Sequence, residues 1–127
     1  MDWYPGDEYV DWFGVSFFTV QQRGKVHEFA QLGREHAKPF MIAEATPMGM
    51  YTLRGKLDWF RHFFDLIEKE NAQVVSYINT DWDHVPMFAE GRWGDSRVQK
   101  FPEIQKFWME KIAEFYPKTA PHEDSSF

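Results

Sequence analysis

The 127-residue chain contains no cysteine, so disulfide bonds and thiolate metal sites are excluded. It has no basic patch and carries a net charge of −6, which argues against a nucleic-acid partner. No apolar run approaches the ~20 residues that a membrane-spanning helix needs. The first ten residues also lack the basic and apolar regions of a signal peptide. We therefore expect a soluble chain with neither nucleic acid nor membrane among its partners.

Sequence motifs for bound metals and cofactors are also missing. His27 and Glu28 begin like the zinc motif HExxH, but Gln31 stands where the second histidine is required. No glycine-rich dinucleotide loop occurs. The RGK sequence at 54–56 is not a Walker phosphate loop, because the flanking residues that the motif requires are missing. We expect neither a metal ion nor a cofactor.

Aromatic side chains are abundant, at 19% of the residues, with 13 Phe and 6 Trp. Such a supply of rings suits either a dense core or a surface that stacks against carbohydrate, and composition does not separate the two. The length corresponds to one domain or a piece of one. A globular chain of this size buries roughly two thirds of the surface of its unfolded form, so a core is feasible.

Hydrophobic periodicity predicts a strand followed by a helix, three times over. The predicted strands are 10–18, 40–44 and 73–79, and the predicted helices begin near Lys25, Lys56 and Pro102. The first helix includes Ala37 on its apolar stripe and must end before Pro39, because the residue preceding proline is pushed out of the helical region. Gly14, inside the first strand, indicates a bulge or a close backbone approach.

The alternation of strands and helices is typical of parallel strands joined by right-handed crossovers. It fits a doubly wound sheet or a (β/α)8 barrel, and the long aromatic loops after the strands favour the barrel. Three parallel strands leave two open edges and cannot close. We therefore predict an α/β fold, a partial (β/α)8 (TIM) barrel of about three βα units over residues 1–116. A polar tail, 117–127, is expected to be disordered.

The short strand at 40–44 carries the first candidate for chemistry. Its apolar run fits a strand buried on both faces, and Glu44 ends that run. Barrel enzymes keep catalytic groups at the carboxyl ends of such strands. The alternative is that Glu44 is only the first polar residue of a loop.

Three segments, YPGDEYVDWFGVSFF (4–18), KPFMIAEATP (38–47) and VVSYINTDWD (74–83), resemble in this order the last three βα units of glycoside hydrolase family 26 and related clan A barrels. Endo-β-mannanases belong to that family. The stretch PMFAEGRWGDSRVQ (86–99) is similar to the region after the last strand in relatives. The resemblance implies that the three predicted strands are the sixth, seventh and eighth of a barrel, with Glu44 as the catalytic nucleophile.

The same resemblance implies that half of the catalytic pair lies elsewhere. Retaining glycosidases need two carboxyl groups about 5–5.5 Å apart, and in these families the acid/base glutamate ends the fourth strand. No residue of this chain matches it, so we expect very weak or absent catalysis by the chain alone. Family members also carry a tyrosine that hydrogen-bonds the nucleophile, where this chain has Phe17 and Phe18. Ser16 stands where many relatives place an aspartate.

Candidate residues for contact with substrate follow the strands. Trp82 resembles the tryptophan that forms a sugar-stacking platform after the eighth strand, the alternative being a loop tryptophan that packs on its neighbours. Trp93 and Arg97 fit either a lining of the distal cleft or, for Arg97, an Arg–Asp pair that braces the loop. Loop Asn and Asp residues often only cap and turn. The other candidates for substrate contact are Phe18, Asn79, Asp83 and Asp95.

Two functions are compatible with these patterns. In the first, the chain is the carboxyl-terminal part of a retaining β-glycosidase acting on β-1,4-mannan or a related plant polysaccharide. In the second, it is a non-catalytic partial barrel that at most binds carbohydrate and self-associates as a homo-oligomer, because open strand edges and an uncovered sheet face favour oligomerisation.

Overall fold

The computed structural model describes residues 2–115, so the predicted tail at 117–127 lies outside the described residues. The chain divides into two compact units, Met1–Arg97 and Val98–Phe127. The first contains β1 (Phe13–Phe17), α1 (Arg23–Glu35), β2 (Phe40–Ala45), α2 (Leu53–Lys69) and β3 (Val74–Tyr77). In the second, α3 (Pro102–Phe115) follows a 3-10 turn at Val98–Lys100. None of the helices within residues 2–115 combines the length and hydrophobicity needed to cross a membrane.

The three strands form one parallel sheet in the order β1-β2-β3. Helices α1 and α2 connect successive strands, as parallel pairing requires. The prediction of an α/β fold with about three βα units is therefore confirmed. Within the described residues, β1 and β3 each pair with a strand on one side only.

One face of the sheet forms the core with α1 and α2. The indole of Trp59 on α2 lies 5.2 Å from the ring of Phe17 on β1 and 5.0 Å from that of Phe63, centroid to centroid. Its Nε1 donates a hydrogen bond of 2.9 Å to the carbonyl of Phe18. Burial of the Tyr77 side chain on β3, beside these rings, raises the pKa of its phenol above the ordinary value. The aromatic content therefore supplies a dense core.

The opposite face of the sheet is largely uncovered, so the prediction that β2 is buried on both faces is wrong. Phe40 and Ile42 are buried on the helix side, whereas Ala43 is exposed on the other. Val74 on β3 is 45% exposed. The physical reason is that α1 and α2 both pack on the same side of the sheet. This uncovered face consists of Gly14, Ser16, Met41, Ala43, Glu44, Val74 and Ser76.

Several predicted boundaries change, since the third strand shortens from 73–79 to Val74–Tyr77 and α2 begins at Leu53 instead of near Lys56. Ala37 is not helical, since its φ of 52° lies in the left-handed region and α1 ends at Glu35. The Lys38 amide then donates to the Gly33 carbonyl, which completes the helix end. The first strand shortens to Phe13–Phe17. Within it, a Cβ on Gly14 would lie 3.0 Å from the Met41 Cε atom, so a side chain approaches Gly14 closely, and not a backbone as one of the two predictions had it.

Candidate active site

A β-bulge in β2 determines where Glu44 points. Val15 of β1 pairs with Ile42, but the next residue, Ser16, pairs with Glu44, so Ala43 is an extra residue in β2. The register with β3 shifts over the same part of β2. Strict alternation from the buried Ile42 would place Glu44 on the helix side. The extra residue instead leaves both Ala43 and Glu44 exposed on the uncovered face.

Glu44 is the penultimate residue of β2, at the carboxyl end of a central parallel strand. Its Oε1 atom accepts a hydrogen bond of 2.8 Å from the hydroxyl of Ser16. An exposed carboxylate at this edge has the position that a barrel enzyme requires of a catalytic group. Its role as a nucleophile remains a prediction.

Trp82 lies in the 3-10 helix Trp82–His84, which follows β3. Its side chain is 9% exposed, and its Nε1 donates a hydrogen bond of 3.0 Å to the Thr46 hydroxyl. The indole packs against the rings of Phe88 and Trp93, with centroids 4.8 and 5.2 Å away. These are the contacts of a loop tryptophan that packs on its neighbours. A sugar platform at Trp82 stays a prediction.

The remaining predicted substrate contacts lie around the carboxyl ends of the strands. The half-buried Phe18 follows β1, and its ring meets Trp93 edge to face at 5.4 Å. Asn79 is exposed two residues after the end of β3. Asp83 accepts a hydrogen bond of 3.1 Å from the Gly94 amide, so it joins two parts of the long loop. Their roles in binding substrate stay predictions.

Arg97 braces this long loop through two acidic residues. Its guanidinium donates to both carboxylate oxygens of Asp95, at 2.9 and 2.7 Å, and reaches Asp81 at 3.5 Å. Residues 81 and 95 also form an antiparallel backbone bridge. The Asp95 carbonyl accepts a hydrogen bond from the buried Lys56 ammonium. The predicted Arg–Asp bracing pair is therefore confirmed.

This pair predicts acid sensitivity of the loop. Hydrogen bonds from Arg97 lower the pKa of Asp95 from 3.8 to about 2. Because the folded-state pKa is depressed, the stabilisation is present above pH 3.8 and is lost as the pH falls towards 2. We expect Asp95→Asn to lower the urea midpoint at pH 6, and the difference from wild type to shrink at pH 2.5. The exposed Asp65 provides the control, Asp65→Asn, and an equal effect of the two variants at pH 6 would contradict this role.

No group of three or more histidine, aspartate or glutamate side chains able to hold a metal ion occurs in the part of the chain that the structure describes. The polar groups at the carboxyl end of the sheet are carboxylates, the Ser16 hydroxyl, the Asn79 amide and the Arg97 guanidinium, and they lie among aromatic rings. The sequence marks Glu44 as a candidate, whereas Ser16 stands out in it only as a departure from the family pattern. The contact between them follows from the bulge, for which the sequence gives no signal at this position.

Comparison with known proteins supports a glycoside hydrolase origin. The chain is 36% identical over 155 residues to the β-1,3-xylanase TXYA of Vibrio sp, a match covering 98% of this chain and 33% of the relative. It is 34% identical over 154 residues to a β-1,3-xylanase of Alcaligenes sp, covering 98% of this chain and 32% of the relative. The chain thus spans about a third of the length of the curated relatives that it matches. No protein-family model matches the chain.

Proposed function

We propose that the chain is the nucleophile-bearing part of a retaining β-glycoside hydrolase, with Glu44 as the nucleophile. The observation that carries the proposal is the bulge, which turns Glu44 onto the uncovered face at the carboxyl end of β2. In a barrel this face would line the interior, where substrate approaches from the carboxyl ends of the strands. Bulges are over-represented beside active sites, where they re-aim a side chain, and this supports the proposal.

The proposed substrate is β-1,3-xylan. The two relatives are named as β-1,3-xylanases, which favours a xylan over the β-1,4-mannan implied by the family 26 resemblance. The mannanase-like specificity stays an alternative within the same class of enzyme. A retaining mechanism needs a carboxylate nucleophile for either sugar, so the choice of sugar does not affect the assignment of Glu44.

Retaining hydrolysis also requires an acid to protonate the leaving oxygen. No residue among these 127 matches the acid/base of the resembled family, and we propose that natural polysaccharide is hydrolysed very slowly by this chain alone. A substrate whose leaving group departs without a proton avoids this requirement. Such a substrate tests the nucleophile separately from the acid/base.

The test is covalent labelling by a 2-deoxy-2-fluoro-β-xylobiosyl fluoride with a 1,3 linkage. Fluoride departs without protonation, and the 2-fluoro group slows hydrolysis of the glycosyl-enzyme. Intact-mass measurement of the wild-type chain is expected to show the addition of one 2-deoxy-2-fluoroxylobiosyl group. Peptide mapping is expected to place that group on Glu44. The mannobiosyl analogue is expected to react more slowly. Labelling of another carboxylate, or no label on a chain shown by circular dichroism to be folded, would contradict the assignment.

A second candidate function is self-association, with a second copy of this chain as the partner. It is favoured by the exposure of Val74 on the uncovered face and by the edges of β1 and β3, each of which lacks a second strand neighbour within the described residues. Sedimentation equilibrium is expected to show a homo-oligomer. A stable monomer at all concentrations measured would rule out this function.

A further inference from the structure

We propose that Ser16 is the positioning residue for Glu44: its hydroxyl holds Oε1 and thereby leaves Oε2 as the oxygen that attacks the anomeric carbon. This inference rests on the proposed function, since it concerns the same carboxylate. It goes beyond that function by assigning separate roles to the two carboxylate oxygens and a role to a residue of the neighbouring strand.

The geometry that carries the inference is the pairing created by the bulge. Ser16 stands directly opposite Glu44 across the β1–β2 pair, and its Oγ lies 2.8 Å from Oε1. An ionised carboxylate has no proton to give, so the serine hydroxyl is the donor. Without the extra residue, Ser16 would pair with Ala43, which has no polar group. The bulge therefore both exposes the carboxylate and brings it opposite its hydrogen-bond donor.

No other side chain of β1 can make this contact. The strand reads Phe-Gly-Val-Ser-Phe, so Ser16 carries its only hydroxyl. Phe17, at one of the positions matching the family's tyrosine, is fully buried against Trp59 on the helix side. Gly14, the neighbour of Ser16 on the uncovered face, has no side chain. Ser16 is thus the residue of β1 that can orient Glu44.

The second carboxylate oxygen, Oε2, accepts no hydrogen bond from any residue that the structure describes. In the proposed step, an electron pair of Oε2 forms the bond to the anomeric carbon. The bond from that carbon to the leaving oxygen breaks, and its electron pair goes to the leaving oxygen, or to fluoride in the labelling reagent. Ser16 keeps its proton throughout, and Oε1 becomes the carbonyl oxygen of the glycosyl ester.

The kinetic test compares Ser16→Ala with Ser16→Thr in the labelling reaction. We expect Ser16→Ala to lower the maximal labelling rate constant about tenfold, because the carboxylate loses a charge-assisted hydrogen bond that fixes its rotamer. The reagent concentration giving half the maximal rate should not change, since Ser16 orients the nucleophile and does not hold the sugar. Ser16→Thr, which keeps a hydroxyl, should restore most of the rate.

Ser76→Ala is the matched control, because Ser76 is a serine exposed on the same uncovered face, in β3. It should leave the labelling rate constant unchanged. If Ser16→Ala labels as fast as wild type, or if Ser76→Ala slows labelling equally, the positioning role is wrong.

A second readout does not depend on activity. In chain labelled with 13C at glutamate Cδ, the Glu44 resonance is identified by its loss in Glu44→Gln. Ser16→Ala should shift that resonance and Ser76→Ala should not. An unchanged resonance in Ser16→Ala overturns the inference. If the resonance shifts but the fluoro-sugar reagent does not glycosylate Glu44 of the wild-type chain, the proposed function is overturned instead. The two failures are therefore distinguishable.

Discussion

Trp59→Ala is expected to lower the free energy of unfolding by about 3–5 kcal/mol, the usual cost of truncating a buried tryptophan. The indole is fully buried and stacks on Phe17 and Phe63, so its removal leaves a cavity between α2 and the sheet. It also removes the hydrogen bond that the indole donates to the Phe18 carbonyl. That carbonyl still accepts a hydrogen bond from the Met48 amide, so most of the loss should come from packing.

Urea denaturation followed by far-ultraviolet circular dichroism measures this loss without relying on tryptophan fluorescence. Trp3→Ala is the matched control, because Trp3 is 62% exposed and its ring centroid lies 6.2 Å from those of both Tyr4 and Phe29. It should change the free energy of unfolding by less than about 0.5 kcal/mol. A loss below about 1 kcal/mol in Trp59→Ala would show that Trp59 is not central to the core.

The order of helices and strands could be predicted from the sequence, because the spacing of apolar residues in each segment is typical of either a helix or a strand. Five apolar residues of α2 recur at helical spacing in the sequence, and all but the half-buried Leu57 are buried: Leu57, Phe60, Phe63, Phe64 and Ile67. Trp59 and Leu66 lie off this stripe and are also buried. A helix that lies on a sheet and also meets neighbouring elements buries more than one stripe, and a stripe counted at single helical spacing underestimates its width.

The candidate site could be predicted only in part. The sequence shows Glu44 as a carboxylate at the end of an apolar strand. Regular alternation of side chains between the two faces of the sheet would, however, point it towards the helices. A bulge depends on the pairing of two distant segments, here 28 residues apart at Ser16 and Glu44, and no local pattern marks it. The serine therefore looked like a missing aspartate, whereas in the structure it contacts the candidate nucleophile.

In the long loop after β3, too, contacts between distant residues could not be predicted from the sequence. Trp82 was visible as an aromatic residue after a strand, but its burial depends on contacts with Thr46 and Trp93. The Asp95–Arg97 pair was predictable because the two residues are close in the sequence. Long-range contacts decide whether an aromatic ring is available to a ligand, and single-sequence patterns do not contain them.

Glu44→Gln is expected to lower the labelling rate constant by about a thousandfold or more, the order of loss seen when an enzyme nucleophile is removed. Glutamine has the same shape, and its amide oxygen can still accept the hydrogen bond from Ser16. It lacks the negative charge and the nucleophilic oxygen that form the bond to the anomeric carbon. Because residue 44 is exposed, the free energy of unfolding should change by less than about 0.5 kcal/mol.

Glu90→Gln is the control for a general effect of removing a carboxylate, because Glu90 is also exposed and lies in the loop after β3. It should label at the wild-type rate. A Glu44→Gln chain that keeps more than about a tenth of the wild-type rate would mean that another group is the nucleophile. A thousandfold loss of rate with unchanged stability would instead indicate that the bulge serves catalysis. Turning a carboxylate out of the core adds no packing, so the bulge has no such benefit for stability.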